Sequence, residues 1–484
     1  QLALDAVEMG QDPLEEGQEE ENRVKKRGRQ KLTLPSGITH RMLFGDVVRI
    51  ALPAFVEMVL AQLVSIADMM MVGQISPQAI SAVGICTQPI MLLQMVFIAL
   101  NVGTTALISR YKGEGDMHRA NSVMRHALLI TAALSLLIAA VAFIGNRHLL
   151  RLIFGSVETA VMDNAQTYFW FTAMSYPFLA LYNSGAALFR SMGNSKISMQ
   201  ASIIMNVINV IGDALFIFGF HWGIKGAAWA TVIGQIVSGI MVIVYFGRFR
   251  KMELKKEMFR PRGHLLKMIL SLGMASCINQ IAMAVVQITM NNTLRYYGAA
   301  SVYGTDIPLA CVGVISKVNM VFMAIAIGIS QGCQPIWGYN YGAGSYDRVK
   351  RTYWKAFRVA MTVGIVFFLC FQFFPTQLVS IFGTGSKEYY EFAARYFRIF
   401  MFMTFVNGIQ PMSSGFFTSI GKAKLGIVVS LTRQVIFLLP LILIFPIFMG
   451  IDGVMYAGPI ADAAAGIVAI GFAVKEIRAM DKIA

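Results

Sequence analysis

Long apolar stretches alternate with short polar connections over the whole chain after residue 40. Each stretch is near or above the roughly 20 residues that a helix needs to cross the hydrocarbon core of a bilayer. The pattern therefore predicts an all-α membrane protein with twelve transmembrane helices. We place them at 47–73, 80–108, 126–145, 165–188, 197–220, 226–247, 265–292, 307–335, 356–376, 392–415, 425–448 and 453–474.

Basic residues crowd every second connection between these spans, whereas the connections at 74–79 and 449–452 have none. Because cytoplasmic loops carry an excess of Lys and Arg, both termini are predicted to be cytoplasmic, in a multi-pass protein of the plasma (inner) membrane. The net charge of +15, in a chain with 56% hydrophobic and 14% charged residues, therefore reports topology. We expect membrane lipids as partners and no nucleic acid.

The two halves of the chain resemble each other. Ala82-Val-Gly-Ile-Cys has a counterpart in Cys311-Val-Gly-Val-Ile, and Phe189-Arg-Ser-Met-Gly-Asn-Ser-Lys has one in Phe417-Thr-Ser-Ile-Gly-Lys-Ala-Lys. Six helices per half is an even number, so the halves share one orientation and are related by a pseudo-two-fold axis along the membrane normal. A cavity is expected between the two six-helix lobes.

This repeat divides the chain into five regions. Residues 1–40 run acidic and then basic, which is typical of a disordered charged tail. The remaining regions are an N-lobe at 41–247, a cytoplasmic basic linker at 248–264, a C-lobe at 265–474 and a cytoplasmic C-terminal tail at 475–484.

A polar stripe lies in the fifth span. Ser202, Asn206, Asn209 and Asp213 recur at intervals of three or four residues and so share one helix face. A carboxylate inside a membrane span is costly and marks a functional site by default. The asparagines have a second interpretation, as polar groups that join neighbouring helices.

Two further polar residues, Asp68 and Thr231, lie at a depth similar to that of Asp213 in the predicted topology. The repeat places apolar residues at the matching positions of the C-terminal half, Ile288 for Asp68 and Leu441 for Asp213. The polar group therefore belongs to the N-lobe alone, and we expect Asp68 and Asp213 to face each other.

Two carboxylates held close in a medium of low dielectric constant do not both stay charged without help. They either share a proton or close around a hard cation with further oxygen ligands. Asp68, Asn209, Asp213 and Thr231 are thus a candidate site for H⁺ or Na⁺, with no other cofactor expected.

At these residues the chain resembles the multidrug and toxic compound extrusion (MATE) transporters, and within them the DinF-like branch. The resemblance covers nearly everything after residue 40. It is carried by Ala51-Leu-Pro-Ala, Ser65-Ile-Ala-Asp-Met-Met-Met-Val-Gly, Asn209-Val-Ile-Gly-Asp, Gly223-Ile-Lys-Gly-Ala-Ala-Trp-Ala-Thr and Gly328-Ile-Ser-Gln-Gly-Cys-Gln-Pro-Ile-Trp-Gly-Tyr-Asn-Tyr-Gly-Ala.

The resemblance implies a secondary active exporter that moves small cationic or amphipathic molecules by alternating access, coupled to protons or sodium. The coupling site is carried onto Asp68, Asn209, Asp213 and Thr231. The acidic residues of the other branch have no match, since span 265–292 contains no acid and the tenth span offers Asn407 and Gln410. We expect the protein to function as a monomer.

Several other residues are candidates for supporting roles. Pro53 precedes Asp68 in the first span and is a hinge candidate, because proline removes a backbone hydrogen bond; the alternative is a static kink. The candidates for the substrate cavity are Glu57, Asn183, Met205 and Asn206. The candidates for a structural charge cluster in the C-lobe are Lys317, Arg433 and Asp462.

Other classes of protein fit less well. A primary pump would need a phosphate-binding loop. The nearest string, from Gly415 to Lys422, is one residue too long, and Ala423 stands where such a loop has Ser or Thr. A membrane enzyme is a remote alternative, because the six histidines are scattered without metal spacing. The main alternative is a lipid-linked glycan or lipid flippase of the same superfamily, which would want basic residues along the cavity; Lys317 and Arg433 are the C-lobe candidates.

Overall fold

The computed structural model describes residues 40–154, 159–248, 263–304, 306–381 and 385–482. The predicted tail before residue 40 and most of the predicted linker, 249–262, lie outside these ranges. Regular structure within them is helical. In the N-lobe the helices are α1 (His40–Gly73), α2 (Pro77–Gly113), α3 (Met117–Phe154), α4 (Thr159–Ala173 and Tyr176–Ser191), α5 (Ser195–Asp213, continued as a π-helix over Ala214–Gly219) and α6 (Ile224–Arg248).

The C-lobe repeats this order. Its helices are α7 (Gly263–Ala299), α8 (Asp306–Gly342), α9 (Tyr346–Phe373), α10 (Lys387–Phe400, Thr404–Asn407 and Ile409–Ser419), α11 (Ala423–Leu431, π-helical Thr432–Leu438, and Leu439–Met449) and α12 (Ile451–Asp481), with a short helix at Pro375–Ser380 before α10.

Twelve helical spans are therefore present, as the hydrophobic pattern predicts. Nine of the helices in the described ranges are long and apolar enough to cross a membrane. The others are α2, which is 37 residues long, and α4 and α10, which are broken into shorter segments. Most helices extend beyond the predicted spans, because hydropathy registers only the apolar part of a helix.

The repeat is visible in the turns as well as in the sequence. The turn after α2 contains Gly115 at φ 80°, and the corresponding turn after α8 contains Gly344 at φ 71°. Gly193 after α4 and Gly421 after α10 are related in the same way, at φ 84° and 83°. Glycine adopts this left-handed conformation without the steric cost that a Cβ atom adds.

All four of these helix ends, those of α2, α4, α8 and α10, carry or adjoin basic residues, and we call this face of the protein the basic side. On it α12 runs on to Asp481, so the segment predicted as a C-terminal tail begins as helix. Two ion pairs hold it, Lys350 with Asp481 and Lys422 with Glu476, the latter at 2.6 Å. The hydropathy pattern had no signal for these contacts between helix ends.

The lobes meet through α1 and α2 on one side and α7 and α8 on the other. Their backbones cross at glycines in the half of the protein nearest the basic side. A Cβ atom built on Gly273 would lie 1.8 Å from the carbonyl oxygen of Ala99, and one on Gly342 would lie 2.2 Å from that of Arg110. Only glycine permits so close an approach of two helix backbones.

Towards the opposite side the lobes part. Val59 of α1 still packs against the cluster that contains Ile325 and Ile329 of α8. About two and three turns further along α1, Ser65 and Met69 are exposed. We call the space between the lobes the cleft; it is closed at the basic side and open at the opposite side.

Candidate functional site

The two acidic residues predicted to face each other do so. Asp213 ends the α-helical part of α5, just before the π-helical turn, and its side chain is 0% exposed. Its carboxyl group lies next to that of Asp68, which α1 presents from its last turns. Within the described chain no group donates a hydrogen bond to either carboxylate oxygen of Asp213 or to Oδ1 of Asp68.

This arrangement has a direct chemical consequence. Two carboxylates in contact, in a protein interior and without donors, repel each other and lose their hydration. They need a bound proton or a cation to remain together. The pair is therefore a centre whose net charge depends on what it binds.

Oxygen atoms for a cation are at hand beside the pair. Asn209 lies one turn before Asp213 on α5, and its Nδ2 donates to Oγ1 of Thr231 on α6 at 3.2 Å. Thr231 Oγ1 in turn donates to the carbonyl oxygen of Ala227 at 3.1 Å. This leaves the amide oxygen of Asn209 and the carboxylates of the acid pair as hard oxygen donors, which suit Na⁺.

Close packing of α5 on α6 makes the contact between Asn209 and Thr231 possible. A Cβ atom on Gly212 would lie 2.8 Å from Cβ of Ala230, so glycine lets the two helices approach. The structure thus brings Asp68, Asn209, Asp213 and Thr231 together from three helices.

Sequence reasoning missed one neighbour of this group. Tyr168 of α4 is buried, its hydroxyl lies beside Thr231, and it is within electrostatic range of Asp68 and Asp213. A single tyrosine in an apolar span carries no pattern that separates it from core aromatic residues. Its hydroxyl is an additional donor for whatever occupies the site.

Glu57 lies in a second buried network, nearer the basic side. Its Oε1 accepts a hydrogen bond from Tyr182 at 3.0 Å, and its Oε2 lies 3.0 Å from Nη1 of Arg190 and 2.5 Å from Oγ of Ser198. The side chain is 6% exposed. The prediction that Glu57 borders the substrate cavity is therefore wrong in position: Arg190, the last-turn arginine of α4, turns inward and draws the carboxylate into the lobe.

The other cavity candidates are buried or half-buried in the N-lobe. Asn206 is buried, and its Nδ2 donates to Oγ of Ser202 at 3.2 Å. Met205 is half-buried where α5 meets α6, and its carbonyl oxygen would lie 2.8 Å from a Cβ atom on Gly234. Asn183 is half-buried on α4. Asn206 therefore faces the interior of the N-lobe rather than the cleft.

Pro53, the hinge candidate, lies inside α1 where this helix meets the other lobe. The next residue, Ala54, is fully buried, and Phe55 is the residue that a Cβ atom on Gly328 of α8 would touch, at 2.8 Å from its Cα. A change in the bend of α1 at Pro53 would therefore alter the contact between the lobes.

The predicted charge cluster of the C-lobe is a pair. Nε of Arg433, in the π-helical turn of α11, donates to Oδ1 of Asp462 on α12 at 2.5 Å, with both side chains largely buried. Lys317 is exposed on α8 and forms no ion pair with the described residues, so its assignment to this cluster is wrong. Residue counting gave the depth of Lys317 but not the direction of its side chain.

Comparison with known proteins agrees with this two-lobed membrane architecture. The fold is shared with an outward-facing multidrug resistance MATE family transporter of the MOP superfamily, with a TM-score of 0.83 at 21% identity, covering 90% of this chain and 96% of the other. It is also shared with a MOP superfamily transporter from Pyrococcus furiosus whose binding pocket is described as having reverse polarity, with a TM-score of 0.82 at 21% identity and the same coverage.

Relatives are similar over most of their length. The multidrug export protein MepA of Staphylococcus aureus is 23% identical over 88% of this chain and 93% of its own. The probable multidrug resistance protein NorM of Thermotoga maritima is 27% identical over 71% of this chain and 73% of its own.

The relatives are named as multidrug export and resistance proteins, and two lobes of six membrane helices around a cleft fit a polytopic membrane transporter rather than an enzyme. The MatE family model matches residues 53–215 and 275–444, one match in each lobe. The chain belongs to the MatE family, as its sequence motifs indicate.

Proposed function

We propose that the protein is a cation-coupled multidrug exporter, a secondary active antiporter that works by alternating access. The observation that carries the proposal is the pair of Asp68 and Asp213, whose carboxylates lie side by side with no cationic partner among the described residues and so must bind a proton or a cation. The exporters named among its relatives support the direction and the kind of transport.

The coupling site in this proposal is Asp68, Asn209, Asp213 and Thr231, with Tyr168 as a further donor. Binding of H⁺ or Na⁺ removes one of the two negative charges of the acid pair and with it the repulsion between the carboxylates of α1 and α5. Because α1 also contains Pro53 and the contact with Gly328, the charge of the pair biases the bend of α1 and thereby the contact between the lobes.

The substrates are small cationic or amphipathic compounds that enter the cleft. The protein resides in the plasma membrane with the basic side towards the cytoplasm and acts as a monomer among lipids. In the opposite state of the cycle the glycine contacts of Gly273 and Gly342 separate, and the cleft opens to the basic side.

A lipid or glycan flippase is the weaker candidate. It would want several cations along the cleft, and one of the two C-lobe candidates, Arg433, is engaged with Asp462. Lys317 is the other of the two candidates, so a polyanionic headgroup would meet few cations in the C-lobe.

Export from proteoliposomes tests the proposal. Purified protein is reconstituted with a fluorescent organic cation inside, and efflux is followed under an imposed proton gradient, an imposed sodium gradient, or neither. Gradient-dependent efflux that Asp213→Asn abolishes is expected. Efflux that is the same with and without both gradients would rule out coupling.

A further inference from the structure

Lys317 is an exposed cation deep in the membrane-spanning part of the C-lobe. It lies eleven residues after the start of α8 at Asp306, which at about 1.5 Å per residue is roughly 16 Å along the helix. An ammonium group at such depth is unfavourable unless it meets water, a counter-ion or a ligand. No carboxylate of the described chain pairs with it.

The direction of this side chain follows from its neighbours on α8. Cys311, Val312 and Ile315, on the other face of the helix, are buried in the apolar core of the C-lobe. Gly313, Lys317 and Met320 form an exposed stripe, and a Cβ atom on Gly313 would meet nothing within 4 Å.

That stripe continues into the contact between the lobes. Gly328 lies three turns further along α8 on the face of Lys317, and it meets the backbone of Phe55 on α1. The face of α8 that is closed by α1 near the basic side is therefore the face that Lys317 occupies where the lobes have parted. The ammonium group of Lys317 lines the cleft.

Helix α7 adds polar groups to the same wall. Gly273 meets Ala99 of α2, and further from the basic side the same face of α7 holds Gln280, Gln287 and Asn291. Gln287 and Asn291 are exposed, and Nε2 of Gln287 donates to Oδ1 of Asn291 at 3.0 Å. The sequence has no acidic residue at 263–299 or at 307–342.

The two sides of the cleft thus differ in charge. The N-lobe holds the acid pair of Asp68 and Asp213, and the C-lobe wall holds Lys317 with neutral amides. Ammonium and amide N–H groups recognise carboxylates through charge-assisted hydrogen bonds, which are stronger than neutral ones.

We propose that Lys317 is the anchor of a carboxylate-recognising subsite, so that the cleft selects zwitterionic amphipathic molecules over purely cationic ones. This inference rests on the proposed export function and specifies its substrate class. The carboxylate of the molecule lies at Lys317, and its cationic part points towards the N-lobe.

A matched pair of dyes tests the subsite: a rhodamine with a free carboxylate and its methyl ester, which differ only in the anionic group. Binding to purified protein is measured by fluorescence polarisation for wild type, Lys317→Gln, Lys317→Arg and the control Lys225→Gln, an exposed lysine at the start of α6. Loss of one charge-assisted contact is expected to weaken carboxylate binding roughly tenfold in Lys317→Gln alone, with the ester unaffected.

Two results would overturn the subsite directly: Lys317→Gln weakens binding of both dyes equally, or it weakens binding of neither. A third would be displacement of the dye from wild type, but not from Lys317→Gln, by vesicles containing phosphatidylglycerol. That result would assign Lys317 to a lipid phosphate. Export of both dyes from proteoliposomes is measured separately. Ester export without Lys317-dependent carboxylate binding would refute the subsite and leave the exporter intact. Carboxylate binding without export of either dye would refute the exporter and leave the subsite.

Discussion

Arg190 and Glu57 form an ion pair inside the N-lobe, with 3.0 Å between Nη1 and Oε2. Glu57 belongs to α1, the helix that also contains Pro53 and Asp68, and Arg190 belongs to the last turn of α4. The ion pair attaches α1 to α4 near the basic side, whereas the acid pair of Asp68 and Asp213 lies towards the other end of α1. Movement of α1 is therefore restrained by two contacts, one between opposite charges and one between like charges.

Removal of one hydroxyl group from this hydrogen-bond network should destabilise the protein. Tyr182→Phe removes the donor to Oε1 of Glu57 and is expected to lower the free energy of unfolding by about 1–3 kcal/mol, because a buried charged acceptor loses a partner. Thermal unfolding in detergent measures the change. Tyr296→Phe is the control, since the side chain of Tyr296 is 73% exposed on α7; an equal loss in both variants would contradict the role of the bond.

Asp213→Asn should abolish coupled export and leave the fold intact. The amide has nearly the shape of the carboxyl group, but it neither binds a proton at physiological pH nor gives the site a second negative charge. Drug resistance of cells and thermal unfolding of the purified variant are measured together. Asp163→Asn, at an exposed position on α4, should behave as wild type. Full resistance in cells with Asp213→Asn would remove this residue from the mechanism.

Asp68→Asn tests whether the acid pair acts as one unit. A cationic substrate added to wild type is expected to release protons or sodium ions from the site, and the variant should release far fewer because one of the two charges that bind the ion is gone. Ion release is followed with a pH-sensitive dye or a sodium electrode. Unchanged release from the variant would make Asp68 structural and leave Asp213 to couple alone.

Asp462→Ala should strongly destabilise the C-lobe. It leaves the buried guanidinium of Arg433 without a counter-charge, which costs about 3–5 kcal/mol in comparable pairs. The control is Asp452→Ala, which breaks the partly exposed pair with Arg395 and should cost roughly 0–1 kcal/mol. Chemical denaturation in detergent separates the two; similar losses would show that burial adds nothing to the Arg433 pair.

Gly273→Ala should force the lobes apart near the basic side. The added Cβ atom would lie 1.8 Å from the carbonyl oxygen of Ala99, so α2 and α7 must separate or the backbone must shift. Spin labels on the two lobes near the basic side should report a longer distance, and export should slow. Gly471→Ala adds the same atom on α12 where nothing lies within 4 Å and should change neither. An unaltered distance in Gly273→Ala would contradict a tight backbone crossing.

The sequence by itself determined the number of spans, the division into two lobes and the acidic pair of the N-lobe. These features rest on quantities that a single chain encodes: the length of apolar runs, the repeat, and the depth of Asp68 and Asp213 counted from the helix ends. Arg433 and Asp462 could be paired in the same way, because a short connection joins their helices and a buried charge needs a partner.

Only the tertiary structure decided which way each helix faces. Glu57 and Asn206 were candidates for the cavity, yet both lie inside the N-lobe, where they contact Arg190 and Ser202 respectively. Lys317 was counted with the buried charges but is exposed, and Tyr168 lies beside the acid site without any sequence signal. Depth along a helix follows from counting residues, but rotation about its axis is fixed by packing against other helices, which sequence periodicity alone does not specify.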